Sequence, residues 1–299
     1  MHREILEFLK MNDVEYKEGF CLAEISPIKI GPKAFVVVYP NSFEKLICLV
    51  DFVKDNKIEY KILGRMSNVL FLDDFYDGIV IRTDRLNDFS INRNTVVASC
   101  GICLPCLCNI LCKSGLSGFE GLSGIPGSIA GAIFGNAGAF GYEIGERVLS
   151  VECFDMINGE TITLTADNIR FSYRHSLFKS SGLVILSAKF LLSQSDEMSV
   201  RNEMERCRKA RVSSQPTDKP SLGSTFKRPK DGGFAASLID GCGLKGYSVG
   251  GAQISTKHAG FIINNGGATA KDYIDLSDYA ADRVYEKFKI RLEREVEII

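Results

Sequence analysis

The feature that most restricts how this chain can fold is a dense run of glycines, Gly118 to Gly141, reading GFEGLSGIPGSIAGAIFGNAGAFG. Glycine stands at 118, 121, 124, 127, 131, 135, 138 and 141. Each glycine inside a helix or strand costs roughly 0.5–1 kcal/mol against alanine, so no ordinary element tolerates that density. Either the run is a packing loop, or its backbone must press against something flat or charged. Ile125-Pro126-Gly127 suits a tight turn, proline fixing φ and glycine taking the positive φ. Ser128 then opens a small-residue segment to Phe134, whose free N–H groups could face a pyrophosphate. Asn136-Ala137-Gly138-Ala139 extends the pattern and favours a cofactor cradle.

The 299 residues suffice for large cores and two or three domains. A formal net charge of −1 gives no electrostatic case for binding nucleic acid or an anionic membrane surface. The opening MHREILEFLK is too charged for a signal peptide, and the longest apolar stretch, Leu183 to Leu192, is broken by Lys189. A soluble, cytoplasmic protein is expected, with a monomer as its working state.

Ten cysteines are present, and five crowd into Cys100-Gly-Ile-Cys103-Leu-Pro-Cys106-Leu-Cys108-Asn-Ile-Leu-Cys112. The spacing begins like an iron–sulfur ligand run. The next cysteine falls too early at Cys108 or two residues too late at Cys112, without the proline that usually follows. The competing reading is structural: a buried strand from Thr95 to Ser99, then a helix opened by Pro105 and running to Lys113, with cysteine as a small buried hydrophobe. No metal site is expected.

Local patterns order the rest. Ile5 to Met11 reads as an amphipathic helix, Phe35–Tyr39 as a strand, and Phe43 to Asn56 as a helix capped by Asn41-Ser42. Tyr60–Leu63 is a second strand, left through the loop Gly64-Arg65-Met66-Ser67-Asn68. Together these make a β-α-β unit whose strand-end loop is a natural ligand site. Further strands are expected at Gly78–Arg82 and Thr95–Ala98. Asn158-Gly159 between Val148–Phe154 and Glu160–Leu164 is a hairpin signal. Strand Val184–Leu191 and helix Asp196–Arg211 follow. Ala235–Cys242 is a helix, and strands around a tight bend are expected over Gly250–Ala252, Ile254–Ala259 and Phe261–Asn264. Tyr273, Leu276, Ala280, Val284 and Phe288 line one helix face, and Arg291 to Ile299 reads as a closing strand.

Five motifs in register resemble one family. GLSGIPGSIAGAIFGNAGAFG, YRHSLFK, GSTFKRP, LKGYSVGGAQISTKHAGFIINNGGATAKD and LEREVEII are similar in order and content to UDP-N-acetylenolpyruvoylglucosamine reductases, the MurB family, in their shorter form. The match runs from about Lys61 to the last residue. It implies an α+β protein with a two-part FAD-binding region of the vanillyl-alcohol-oxidase type and a C-terminal α/β substrate domain. The boundaries implied are 1–82 and 83–192 for the two flavin subdomains and 193–291 for the UDP-sugar domain, with 292–299 returning to the first.

The resemblance also implies a reaction. FAD, reduced by NADPH, delivers a hydride from N5 to C3 of the enolpyruvyl group of UDP-N-acetylglucosamine enolpyruvate; C2 is then protonated, giving UDP-N-acetylmuramate for peptidoglycan. Negative charge develops between C2 and the carboxylate, and an arginine fork suits it. By motif position that arginine is Arg174, the proton donor is Ser224, and Glu295 helps polarise the enolate. Alternation alone leaves Glu293, Glu295 and Glu297 on one face and does not choose among them.

Matching positions for the flavin are Gly64, Ser67, Asn68, Gly124, Ile125, Pro126, Gly127, Ser128, Gly131, Ala132, Asn136, Ala137 and Gly138. For the UDP-sugar they are Tyr173, Lys227, Arg228, Lys245 and His258. Lys245 could equally be a solvated turn residue, and His258 a satisfied core histidine. The chain departs from the family at Ile30-Gly31-Pro32-Lys33-Ala34 and at Met66, where the family has bare glycine. Those departures motivate a first alternative, a flavin protein with lost or altered catalysis. An iron–sulfur or zinc protein built on Cys100 to Cys112 is a second. An FAD-dependent alcohol oxidase is a third, disfavoured because only His2, His175 and His258 are available to tether a flavin.

Overall fold

A computed structural model describes residues 1–72, 75–230 and 232–299. The chain forms two compact units, both assembled from separated stretches. Helices and strands are mixed throughout, an α+β architecture.

The first unit comprises Met1–Phe20, Ala34–Arg65 and Asp77–Arg208. One of its sheets runs in the order Glu15–Glu18, Ala34–Tyr39, Tyr76–Arg82, Tyr60–Leu63. Strands 60–63 and 76–82 pair in parallel, and 76–82 lies between 34–39 and 60–63, the two strands that the crossing helix joins. The crossing helix, Phe43–Asp55, starts where Ser42 Oγ accepts the Lys45 N–H at 3.2 Å, and it buries Leu46, Leu49, Val50 and Val53. A five-stranded antiparallel sheet follows, in the order Glu160–Thr165, Val148–Asp155, Leu183–Leu191, Thr95–Ser99, Phe89–Asn92. Its hairpin turns at Gly159, whose φ of 72° is open to glycine without strain. Strand 15–18, which the sequence reading leaves unassigned, has three charged residues out of four and owes its conformation to antiparallel pairing with 36–39.

The helix Leu104–Lys113 has Pro105 in its first turn and buries Leu104, Leu107, Cys108, Leu111 and Cys112. Burial raises the Cys100 thiol to about 12 and pushes Cys108 higher still. Cys106 breaks the expected pattern: it is exposed, not a buried hydrophobe. Among the described residues no group of three or more His, Cys, Asp or Glu is placed to hold a metal ion, and no helix is long and apolar enough to cross a membrane.

The second unit comprises Cys21–Lys33, Met66–Tyr76 and Lys209–Ile299. Its antiparallel sheet runs Ser221–Ser224, Phe261–Asn264, Ala252–Ile254, Ser248–Val249. The helix Ala270–Phe288 buries Tyr273, Leu276, Ala280 and Val284, and a Thr269–Asp272 capping box fixes its start. Two expected strands are corrected here. The strand expected at 254–259 ends at Ile254, because Ser255 Oγ accepts the N–H groups of Lys257 and His258 and turns the chain. The closing strand expected over 291–299 is regular only at Glu297–Ile298, parallel to Val69–Leu70. Residues just before it pair elsewhere, with Arg294 bridging Phe226.

Candidate active site

In the first unit, Gly64 at the end of strand 60–63 lies against Ser128. A Cβ on Gly64 would fall 2.1 Å from Ser128 Oγ and 3.0 Å from its Cβ. Two stretches chosen separately from the sequence therefore meet without space for one methyl group. Ser128 caps the short helix Ile129–Phe134, its Oγ accepting the Gly131 N–H. A Cβ on Gly131 would meet only Ser128 Oγ, at 3.5 Å, and one on Gly135 only the Gly131 carbonyl, at 3.6 Å. These glycines are four apart, so one helix face is bare backbone.

The expectation that this helix offers free N–H groups is corrected. Ile129 donates to Ile102 O at 3.1 Å and Ala130 to Cys100 O at 3.0 Å, while Gly131 is taken by Ser128. Six residues packed on the preceding strand end have spent their first-turn donors on the protein.

Asn136, 2 % exposed with φ 43°, ties this region together. Its amide donates to Glu143 Oε2 at 2.9 Å and Ser172 O at 3.0 Å, and its Oδ1 accepts the Gly145 N–H. Ser172 opens a tight turn closed by reciprocal backbone bonds with His175. Arg174 sits third in that turn at φ 54°, a left-handed conformation uncommon for a side chain of its size. It is half-buried, its Nη2 donates to Gly138 O at 3.4 Å, and its guanidinium stands 5.3 Å from the centre of the exposed Tyr173 ring. Ser176, fully buried, donates from Oγ to Phe134 O at 2.8 Å. Two buried polar side chains thus fix the arginine turn to the end of the glycine helix. Asn136 came from the cradle motif; Ser176, in the arginine motif, drew no role from sequence.

In the second unit, Ser224 and Glu295 lie on neighbouring segments. The Glu295 N–H donates to Thr225 O at 2.8 Å, and the Lys227 N–H donates to Glu293 O at 2.9 Å. Both residues are half-buried. Gly223, at φ 79°, sits within a register shift of strand 221–224, and Ser224 follows it opposite Phe261. Behind Ser224, buried Thr225 Oγ1 accepts the Ile262 N–H and meets the hydroxyl of fully buried Tyr273 at 3.2 Å. Asn68, from the loop after strand 60–63, reaches the same place: its amide donates to Glu295 O at 2.9 Å and its carbonyl accepts the Glu297 N–H at 3.0 Å. Sequence reasoning chose Asn68 for a flavin and could not see this link, which spans 227 residues.

Family models cover both halves of the chain. Residues 34–165 match an FAD binding domain, and residues 215–299 match the C-terminal domain of UDP-N-acetylenolpyruvoylglucosamine reductase. The UDP-N-acetylenolpyruvoylglucosamine reductase of Clostridium novyi is 41% identical over 285 residues, spanning 95% of this chain and 92% of that protein. The enzyme of that name from Streptococcus pneumoniae is 41% identical over 299 residues, 100% of this chain and 98% of its own. The chain belongs to the UDP-N-acetylenolpyruvoylglucosamine reductase family. The crystal structure of the reductase (MurB) from Thermus caldophilus agrees in fold, with a TM-score of 0.79 at 30% identity over 95% of this chain and 98% of that one.

Within this reductase family member, the residues matched to the UDP-sugar all lie in the second unit except Tyr173. Lys227 pairs with Glu293, and Lys245 with Asp240 at 2.7 Å. Arg228 is exposed, its guanidinium 4.6 Å from the centre of the Phe234 ring. His258 is half-buried, edge-on to Phe261 at 4.9 Å, and its Nδ1 accepts the Gly260 N–H at 3.2 Å. Burial lowers its pKa, and the charge of Lys245 lowers it further. Met66 takes φ 55°, so it keeps the left-handed backbone of a glycine, and its side chain is buried at 3 % exposure. Ser67 is half-buried beside it.

Proposed function

We propose that this protein reduces the enolpyruvyl ether of UDP-N-acetylglucosamine enolpyruvate to UDP-N-acetylmuramate, with FAD as resident flavin and NADPH as reductant, as a cytoplasmic monomer serving peptidoglycan synthesis. The observation that carries the reading is the 2.8 Å bond from the Glu295 N–H to Thr225 O, which holds a hydroxyl and a carboxyl residue on adjacent segments.

The first unit fits a flat, anionic cofactor: Gly64 is pressed on Ser128, and Gly131 and Gly135 leave one helix face without side chains. By motif, Gly124, Ile125, Pro126, Gly127, Ala132, Ala137 and Gly138 are assigned to the same cofactor, and so are Ser67 and Asn68 of the second unit. When bound, FAD supplies the hydride that passes from N5 to C3 of the substrate after reduction by NADPH.

Arg174 grips the substrate carboxylate with its planar fork and stabilises the charge that develops there. Its backbone is already bent into the left-handed region and braced by Asn136 and Ser176, so little ordering remains when substrate arrives. Ser224 delivers its hydroxyl proton to C2; a weak acid suffices because the carbanion it meets is far more basic. Glu295 hydrogen-bonds the enolate system and increases its polarisation. Lys227 and Lys245 exchange Glu293 and Asp240 for the diphosphate, with Arg228, His258 and Tyr173 completing the contacts to nucleotide and sugar.

Absorption spectroscopy tests the reading. A two-banded flavin spectrum, released by acid, should bleach with NADPH and return on adding UDP-N-acetylglucosamine enolpyruvate under anaerobic conditions. Bleaching without recovery would reject this substrate, and a purified protein that neither carries nor takes up FAD would reject the flavin.

A further inference from the structure

The cysteine run from Cys100 to Cys112 is the one motif that the proposed reaction leaves unused, and the structure divides it. Cys100, Cys108 and Cys112 are buried, and burial keeps their thiols protonated and inert. Cys103 and Cys106 differ. Cys103 is the N-cap of the helix Leu104–Lys113, and its sulfur makes no capping bond to the helix N–H groups. Cys106 stands three residues on, in the first turn, with Pro105 restricting the backbone between them. A capping side chain and the side chain three residues later lie on the same side of a helix start. The Cys103 thiol is near enough to act on the titration of Cys106. Cys106 is exposed and Cys103 half-buried, so small reagents can reach the pair. The Arg65 guanidinium acts on Cys106, and the helix N-terminus adds positive potential of its own. The neighbouring Cys103 thiol first, and desolvation second, raise the pKa of Cys106, so Cys106 keeps its proton.

We propose that Cys103 and Cys106 form a redox-active dithiol that closes reversibly to an intramolecular disulfide on exchange with a small-molecule disulfide. One thiolate of the pair attacks a sulfur of the reagent and displaces one small thiolate, leaving a mixed disulfide. The second cysteine attacks the protein sulfur of that bond and displaces the other. Two protein S–H bonds are lost and one S–S bond forms. The protein gives up two electrons, the reagent's S–S bond is reduced to two thiols, and the two protons pass to them. The site adjoins the glycine run directly: Cys103 bridges Ser128, the Leu104 N–H donates to Gly127 O at 2.9 Å, and the Ile129 N–H donates to Ile102 O.

The test equilibrates the purified protein with oxidised and reduced glutathione at a series of ratios, followed by acid quenching, alkylation and intact-mass measurement. The expected result is loss of two of the ten thiols, with a mass decrease of about 2 Da and full reversal by dithiothreitol. Cys103→Ser and Cys106→Ser should each abolish closure, whereas Cys48→Ser, at another exposed cysteine, should close as the parent does. Circular dichroism establishes that each variant is folded, and Cys106→Ala at the exposed position replaces any serine variant that is not. A parent protein that keeps ten free thiols at every ratio, or closure that survives loss of either cysteine, overturns the proposal.

Discussion

Gly64→Ala is the sharpest probe of the cradle in the first unit. The added Cβ would lie 2.1 Å from Ser128 Oγ and 3.0 Å from Ser128 Cβ, inside any tolerable contact. The hydroxyl cannot swing clear without giving up its bond to the Gly131 N–H. Overpacking of this kind costs about 1–3 kcal/mol; taking about 2 kcal/mol, the melting temperature should fall by roughly 4–8 °C. Ser128→Gly alone removes both clashing atoms and should cost only a few tenths of a kcal/mol, because glycine is an acceptable N-cap. The double variant should therefore be more stable than Gly64→Ala, with a favourable coupling of about 1–2 kcal/mol. Thermal and urea unfolding of the four proteins measure the cycle, and equilibrium dialysis of FAD against the same set reads the cradle directly. If the two substitutions simply add, Gly64 and Ser128 do not press on one another and the cradle geometry is wrong.

Three further outcomes follow from the second unit. Ser224→Ala should leave NADPH-driven flavin bleaching within about 2-fold of the parent while slowing reoxidation by the enolpyruvyl substrate at least 10²-fold, the scale of a lost general acid; stopped-flow absorbance separates the halves, and equal losses in both refute the proton-donor role. Asn68→Ala removes the donor to Glu295 O, worth about 0.5–1.5 kcal/mol, so reoxidation should slow about 2- to 13-fold beyond any change in flavin affinity, and an effect confined to flavin affinity would separate Asn68 from Glu295. His258 has its pKa lowered below 6.5 by burial, so the unfolded chain binds the extra proton first as pH falls. Its contribution to stability is complete above the unfolded pKa and is lost as pH drops through the lower folded value. Melting temperatures at pH 7.5 and 5.5 should therefore differ less in His258→Gln than in the parent, and an unchanged difference counts against this account.

Local physics was legible where one neighbourhood decides the outcome. Ser42 with an apolar 3.6-residue period gave the helix Phe43–Asp55, and Asn158-Gly159 gave its hairpin. Tyr60–Leu63 came out at its observed limits. Failures fall where the chain changes partner. Residues 291–299 carry a strand-like alternation, yet 293–294 engage 226–227 while 297–298 pair with 69–70. No periodicity encodes that switch. The same holds for the N–H groups of 129–131: serine followed by small residues looks like an open helix end, but the carbonyls of Cys100 and Ile102, in the turn after strand 95–99, close it.

The candidate site shows the limit more sharply. A motif can name Arg174, Ser224 and Glu295, but it cannot say what holds them, because the holding groups are backbone carbonyls and distant polar side chains. Asn136 and Ser176 brace the arginine turn, Thr225 and Tyr273 support the segment after Ser224, and Asn68 reaches Glu295 O. Each brace satisfies a polar group inside the protein, and such groups are costly to leave unpaired. Removing a brace should therefore cost geometry before it costs fold. Asn68 is the telling case: its loop leaves the β-α-β strand that ends beside Gly64, while its side chain fixes the carbonyl of Glu295. A change in how that loop is seated would reach the carboxyl residue through two backbone-directed hydrogen bonds, at Glu295 O and from the Glu297 N–H.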